Sequence, residues 1–333
     1  TKYGFIRQNE DYVGFDPLRI WINEAHKRGI KVHIWFETFY VGNKPPETNA
    51  GYILAKKPEW ANYQKKNADS DTIAYSVSEH NGYFIDPANP EVQNFLYELL
   101  CEIITRYKPD GINLDYIRYP QSLDTIYSNY DMSNWGYTKY ARDEFFKMYG
   151  VDPIELKYTD PLWFQWRAYR CNKVTSFVRR VSVLCRFNKI QITTVIFPNR
   201  NLALNTKMQD WKTWSMNNFV DGFTPLFLTC NDMTAINLME EILRNKSAST
   251  KLYAGLFVTF MNGSSADLMK QIHAARKYCL NGLIIFDYAH LTDYYVDTLT
   301  ESVFKSNKKE IVITDTAKSQ QVKYSTGNKR GGN

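Results

Sequence analysis

The feature that most constrains the fold is a series of short, almost wholly apolar segments separated by amphipathic stretches. We predict a strand at each apolar segment and helices between them. The predicted strands cover residues 30–36 (IKVHIWF), 111–116, 190–197, 222–228, 252–260 and 282–287. Strands that are apolar on both faces are typical of a parallel sheet that is covered by helices on each side.

The predicted helices alternate with these strands, apart from a long excursion between residues 36 and 90 that holds a hairpin-like segment at 72–85. The helices cover residues 15–29, 91–107, 135–149, 161–187, 209–219, 233–244, 266–280 and 293–305. Six strands fit either a doubly wound sheet or an incomplete barrel. No strand is followed by a Gly-rich phosphate-binding turn, which removes the usual reason for a doubly wound sheet. We therefore predict a TIM-type (β/α)8 barrel over residues 1–305, followed by a basic linker or tail at 306–333.

The net charge of +6 is concentrated at the carboxyl end of the chain. From Lys305 onward there are seven Lys or Arg residues against two acidic residues. The rest of the chain is therefore nearly neutral, and a nucleic-acid partner is not expected, because a phosphate backbone needs a basic surface. No segment is apolar for long enough to span a membrane, and no cofactor is implied.

The five cysteines are widely spaced and include no C-x-x-C pair. This pattern argues against a disulfide framework and against a zinc site. We therefore predict buried free thiols.

Three carboxylates follow predicted strands, at the end of a parallel barrel where active sites lie. Glu37 follows the first predicted strand, Asp115 lies in the second and Asp287 ends the last. A glycosidase needs two carboxyl groups, one to protonate the leaving oxygen and one to act as base or nucleophile. We predict Asp115 as the general acid and Glu37 as the base or nucleophile, with Asp287 as a third candidate.

These residues also have structural interpretations. Asp115 and Arg118 would form a salt bridge that closes the end of the barrel, and Glu37 would orient other side chains. His33 is predicted to be a core histidine. His290 has no partner at metal-ligand spacing, so no metal site is expected.

The chain is rich in aromatic residues, with 24 Tyr, 19 Phe and 8 Trp, many of them just after predicted strands. Flat aromatic faces suit the C–H faces of sugars, although most of these rings are expected to fill the core. The residues predicted to position sugars by stacking and hydrogen bonding are Trp35, His80, Tyr116, Arg118, Tyr119, Asn199 and Arg200.

Several ordered stretches resemble the glycosyl-hydrolase-like family 10 of bacterial envelope proteins, formerly the DUF187 group. The resemblance is strong over FDPLRIWINEAHKRGIKVHIWFE and DPANPEVQNFLYELLCEIITRYKPDGINLDYIRYP, and continues more loosely through VIFPNR, VDGFTPLFL and GLIIFDYAHL. It implies a (β/α)8 barrel, an exported extracytoplasmic protein and a glycan substrate. The family includes a glycosidase of peptidoglycan strands that lack stem peptides, so an amino-sugar-containing bacterial glycan, with peptidoglycan leading, is the expected substrate.

The resemblance also assigns positions. Asp115 matches the family's acidic residue after the fourth strand, and Glu37 falls where the family has Asn or Glu after the third. Asp287 falls where many relatives have Ser. A first strand, first helix and second strand are expected to precede Thr1, which makes this chain an N-terminally incomplete barrel. The segment DGINLDYI partly matches the D-G-x-D-x-D-x-E pattern of chitinases, but Ile117 occupies the position of the catalytic Glu, which excludes a chitinase-type mechanism through that residue.

Two alternative functions stay open at this point. A non-catalytic carbohydrate-binding barrel would bind a glycan without turning it over. A glycosidase of a capsular or dietary polysaccharide would use the same carboxylates on another substrate. The oligomeric state is not predicted by the sequence.

Overall fold

A six-stranded sheet forms the centre of the computed structural model, which describes residues 2–5, 8–48, 52–122 and 133–305. Neighbouring strands run parallel and follow one another in chain order. They are β1 (His33–Glu37), β2 (Gly111–Asp115), β3 (Gln191–Ile196), β4 (Gly222–Pro225), β5 (Lys251–Phe257) and β6 (Gly282–Phe286). The six predicted strands are confirmed, and a sequential parallel order is that of a barrel rather than of a doubly wound sheet.

The helices of the described residues connect the strands. They are α1 (Pro17–Lys27), α2 (Tyr52–Lys56), α3 (Pro90–Tyr107), α4 (Lys139–Tyr149), α5 (Leu162–Phe187), α6 (Arg200–Lys207), α7 (Trp211–Met216), α8 (Asp232–Asn245), α9 (Ser265–Lys277) and α10 (Asp293–Glu301). Where one helix was predicted at 209–219, the structure has α7 alone, and α6 precedes it. Each of the two helices begins at its own cap, because the side chain of Asn199 accepts the N–H of Leu202 and that of Asp210 accepts the N–H of Thr213.

Helix α3 shows how the sequence determines such an element. The side chain of Asn89 accepts the N–H of Glu91, and Pro90 occupies the first helical position, where its missing N–H costs nothing. Apolar residues at three- and four-residue spacing then join the core that also contains the outer face of β2. They are Val92, Phe95, Leu96, Leu100 and Ile104. Burial of each such side chain contributes roughly 1.5–3 kcal/mol to folding.

The predicted hairpin-like segment at 72–85 is largely irregular. Ser76 and Gly82 form an antiparallel bridge around the short 3-10 helix Val77–Glu79, and Phe84 and Ile85 form antiparallel bridges with Tyr40 and Ala61. This segment belongs to the long connection between β1 and α3, which carries residues to the carboxyl ends of the strands.

The inner face of the sheet is polar near its middle and aromatic at its open edges. The Oδ1 atom of Asn113 in β2 accepts the hydroxyls of Thr193 in β3 and Thr224 in β4, both at 3.0 Å. The rings of Trp35 in β1 and Phe286 in β6 lie 5.2 Å apart between centroids. The first and last strands therefore approach each other, and the sheet curves into an incomplete barrel.

Other predictions meet mixed outcomes. Cys171 and Cys185 are buried free thiols, Cys101 is half-buried, and Cys230 and Cys279 are exposed, so the prediction of buried thiols holds for two of the five and is wrong for the exposed pair. His33 is half-buried rather than enclosed in the core. Within the ranges that the structure describes, no helix has both the length and the apolar character of a membrane span. The predicted tail at 306–333 lies outside the described residues.

Candidate active site

A cavity of about 700 Å³ opens at the carboxyl ends of the strands. This volume lies within the range of small-molecule binding sites. Its aromatic lining comprises Trp35, Tyr116, Phe197, Phe257, Phe260 and Phe286. Its titratable lining comprises Glu79, His80, Asp115, Arg118, Lys207, Asp287 and His290.

The two carboxylates predicted to carry the chemistry end neighbouring strands. Glu37 of β1 and Asp115 of β2 are partners in the parallel register. Trp35 and Asn113, each two residues earlier, are partners as well. Side chains two residues apart along a strand lie on the same face, so both carboxylates lie on the inner face of the sheet. Asp115 lines the cavity, whereas Glu37 lies next to it at the exposed end of β1.

Asp115 is held in a mostly buried position. Burial raises the pKa of Asp115, and the Glu79 charge adds to this rise, whereas the Tyr116 N–H, Arg118 and the Trp35 side chain oppose it. The Tyr116 N–H donates to Asp115 Oδ1 at 2.6 Å. A carboxyl group that keeps its proton to higher pH, in a fixed orientation, suits the role of general acid.

Glu37 has a related environment with more solvent. Its pKa is raised first by partial desolvation and then by the negative charge of Asp115. The charge of Asp115 therefore acts on Glu37 across the two strands. An ionised Asp115 thus disfavours the ionised form of Glu37, so the two side chains favour a state in which only one of them is charged.

The structure overturns the interpretation of Arg118 as the salt-bridge partner of Asp115. Both guanidinium nitrogens of Arg118 donate instead to Glu79, Nη1 to Oε1 at 2.8 Å and Nη2 to Oε2 at 2.9 Å. Lys207 Nζ lies 3.3 Å from the same Oε1 atom. Burial would raise the pKa of Glu79, but the two cations lower it to about 2. Burial, followed by the Arg118 charge, lowers the pKa of Lys207 to about 7.

Asp287 lines the same cavity in a different environment. Its side chain is 59% exposed, its Oδ1 atom accepts the His290 N–H at 3.1 Å, and the His290 Nδ1 atom lies 2.7 Å away. The hydrogen bond with His290 lowers the pKa of Asp287. The residue therefore caps the 3-10 helix Tyr288–His290 and is ionised. Within the described ranges, no group of three or more His, Cys, Asp or Glu side chains is placed to hold a metal ion.

The predicted sugar contacts divide into two sets. Those that line the cavity are Trp35, His80, Tyr116 and Arg118. The prediction of Tyr119 as a sugar contact is wrong, since its side chain is 1% exposed and packs in the core, where it cannot reach a ligand. Asn199 and Arg200 do not line the cavity either, because they form the cap and first residue of α6.

The sequence pattern of the glycosyl hydrolase-like 10 family matches residues 4–260. The chain belongs to this family. Among curated relatives, glycosyl hydrolase DigH of Escherichia coli (strain K12) is 35% identical over 112 residues, which cover 33% of this chain and 24% of DigH. Glycosyl hydrolase YngK of Bacillus subtilis (strain 168) is 26% identical over 113 residues, 33% of this chain and 19% of YngK. The chain thus spans about a quarter or less of the length of these two family relatives.

Solved structures of low sequence identity share the fold of this family member. The catalytic domain of a β-amylase from Paenibacillus polymyxa aligns with a TM-score of 0.56 at 12% identity, covering 87% of this chain and 86% of that one. An α-galactosidase from Lactobacillus brevis aligns with a TM-score of 0.52 at 12% identity, covering 86% of this chain and 31% of that one. Both are TIM-barrel glycosidases, and at this identity the likeness supports the barrel arrangement alone.

Proposed function

We propose that this protein hydrolyses glycosidic bonds with Asp115 as general acid and Glu37 as its partner carboxylate. The observation that carries the proposal is the register of β1 and β2, which pairs the two carboxylates at the carboxyl ends of adjacent strands. Membership of a glycosyl hydrolase-like family supports the same class of reaction. The pKa values of both carboxyl groups are raised, and Asp115 is the one that lines the cavity, which supports its role as the proton donor to the leaving oxygen.

We assign Glu37 the role of nucleophile. Register partners on adjacent parallel strands carry neighbouring side chains, and this assignment requires their carboxyl groups to lie about 5–5.5 Å apart, as in retaining glycosidases. Inverting enzymes need a larger separation to admit a water molecule between the sugar and the base. Under this assignment Glu37 attacks the anomeric carbon, Asp115 protonates the departing oxygen, and water then releases the sugar with Asp115 as base.

The aromatic lining supports a sugar as the ligand. The Phe286 ring makes an edge contact with Trp35 at 5.2 Å and stacks on Phe257 at 4.3 Å, so three rings form one apolar wall. Such a wall matches the C–H face of a pyranose. From the resemblance over residues 15–120, we propose an amino-sugar-containing bacterial glycan as the substrate, with peptidoglycan strands first. An extracytoplasmic location follows from that substrate.

We further propose that the six-stranded sheet is the larger part of a (β/α)8 barrel. The contact between β1 and β6 is made by side chains, and these two strands are not paired through their backbones among the described residues. Two more strands between them would complete a closed sheet.

A glycan panel tests the proposed function. The full-length protein is incubated with amidase-stripped peptidoglycan and with capsular and dietary polysaccharides, beside an Asp115→Asn variant, and products are identified by mass spectrometry. We expect new reducing ends from the amino-sugar glycan, absent with the variant. Release of reducing ends from a capsular or dietary polysaccharide alone would show that the substrate is that polysaccharide and not the amino-sugar glycan. Binding by both proteins without any release would favour the non-catalytic barrel.

A further inference from the structure

A buried cluster of charges joins three connections at the mouth of the barrel. Glu79 comes from the segment between β1 and α3, Arg118 follows β2, and Lys207 ends α6. Their exposed fractions are 7%, 4% and 3%. Both carboxylate oxygens of Glu79 are engaged by Arg118, and Oε1 also accepts the N–H of Gln121 at 3.1 Å. Glu79 is thus the anion that allows two cations to be buried there.

Arg118 connects this cluster to the backbone beside Asp115. Its guanidinium carbon lies 4.7 Å from the centre of the Tyr116 ring and 5.0 Å from that of Phe197. The bidentate pair with Glu79 fixes the plane of the guanidinium group between these rings. A rotation of Arg118 would therefore remove one support of the Tyr116 ring, which also stacks on Tyr40 at 4.5 Å between centroids.

Tyr116 needs such support, because its backbone is in the left-handed region, with a φ of 46°. This conformation is uncommon for a bulky residue and persists only when its surroundings hold it. It directs the Tyr116 N–H to Asp115 Oδ1 at 2.6 Å. The orientation of the Asp115 carboxyl group therefore depends on contacts that begin at Glu79.

We propose that Glu79 is a positioning residue for Asp115, which acts through Arg118 and Tyr116 without touching the substrate. This inference rests on the proposed function, in which Asp115 is the acid. The charge of Glu79 also acts directly, since it raises the pKa of Asp115 whereas Arg118 lowers it. The titratable and charged groups around Asp115 are Glu37 from β1, Glu79 and His80 from the following segment, Tyr116 and Arg118 from its own loop, Lys207 from α6, and Asp287 and His290 after β6.

The main test is Glu79→Gln in the full-length protein. Glutamine keeps the volume but removes the charge and one acceptor, so Arg118 loses its bidentate partner. We expect kcat to fall by about tenfold to hundredfold, since a small displacement of a reacting group costs up to about 10²-fold, with KM close to the wild-type value. The limb of the pH–rate profile that Asp115 controls should move to lower pH, because the charge of Glu79 no longer raises the pKa of Asp115 whereas Arg118 still lowers it.

Two further variants distinguish the loss of side-chain position from the loss of charge at Glu79, and both from a general loss of stability. Glu79→Asp keeps the charge but shortens the side chain, so we expect a lower kcat with the Asp115 limb nearly unmoved. Thermal unfolding measurements show whether Glu79→Gln is folded. If it is not, Glu79→Asp replaces it as the test of the inference. Glu59→Gln makes the same chemical change at an exposed position of the same segment and should behave as wild type.

A second readout does not need turnover. The carboxyl carbon of Asp115, labelled with 13C and assigned with Asp115→Asn, is titrated in wild type and in Glu79→Gln. We expect a lower midpoint in the variant. An unchanged midpoint and an unchanged kcat in folded Glu79→Gln would overturn the inference. If wild type cleaves no glycan, the proposed function fails, and the carbon titration alone then decides whether Glu79 controls Asp115.

Discussion

Asp115 and Asp287 both lie at the carboxyl end of a strand, yet the structure gives them opposite chemistry. Asp115 is the last residue of β2, Asp287 directly follows β6, and both line the same cavity. Asp115 is largely enclosed and its pKa is raised by burial, whereas Asp287 is 59% exposed and its pKa is lowered by the hydrogen bond with His290. A strand end brings a carboxylate to the mouth of a barrel, but its neighbours decide whether it holds a proton.

The difference follows from the surroundings of the two strands. β2 is paired on both sides, by β1 and β3, and Arg118, just after it, is clamped by Glu79 from the long segment between β1 and α3. β6 pairs only with β5 among the described residues, and the short helix after it leaves Asp287 in solvent. Asp115 is therefore a candidate general acid because it is enclosed at the end of β2. Asp287, exposed after β6, only caps a short helix.

The largest effect is expected at Asp115. In Asp115→Asn the proton donor is lost while size is kept, so kcat should fall by about 10³-fold, within the range of general acid catalysis. Release of reducing ends under saturating substrate measures this. Asp287→Asn is the matched control at the other strand end. A comparable fall in kcat in both variants would contradict the proposed difference between Asp115 and Asp287.

Glu37→Ala should lower kcat by about 10²-fold or more, because the second carboxylate is removed. Added azide should restore turnover and give a glycosyl azide of inverted anomeric configuration, since a small anion can replace a missing nucleophile. NMR of the product reads the configuration. A glycosyl azide of retained configuration would instead assign Glu37 the acid–base role and Asp115 that of nucleophile.

The pH profile sharpens the same comparison. Because the pKa of Asp115 is raised, its protonated form persists above the ordinary carboxyl value of about 3.9, and activity should be lost as pH rises through this higher pKa. Asp287, with a lowered pKa, stays ionised throughout this range. Profiles of kcat/KM should therefore coincide in shape for wild type and Asp287→Asn. A shifted upper limb in Asp287→Asn would show that Asp287 titrates in the mechanism.

The smallest effect is expected when Asp287 is replaced. Asparagine caps a helix as well as aspartate does, so Asp287→Asn should change neither turnover nor stability appreciably. Asp287→Ala removes the cap and should cost about 1 kcal/mol of unfolding free energy. Denaturant unfolding measures that cost. A stability loss in Asp287→Asn equal to that in Asp287→Ala would contradict the capping role.

The strands and most helices could be predicted from sequence because their apolar spacing is strong and local. The ends of the apolar strands also placed Glu37 and Asp115 together, since parallel neighbours share one edge. Helix α6 was missed because RNLALNTK is short and polar, and its signal is the Asn199 cap alone.

Glu79 could not be found by the same reasoning. It lies 39 residues from Arg118 and 128 from Lys207, in an irregular segment without periodicity. Its contacts exist only after three connections have folded together. Tyr119 failed for a related reason, because proximity to Asp115 in sequence does not reveal that the chain turns its ring into the core.

The dependence on leaving group tests the central claim most directly. Wild type and Asp115→Asn are compared on the natural glycan and on a dinitrophenyl glycoside of the same sugar, whose leaving group departs without protonation. If Asp115 is the general acid, the large loss in Asp115→Asn on the glycan should nearly disappear on the activated glycoside in the bond-cleavage step. An equal loss on both substrates would contradict the acid role of Asp115.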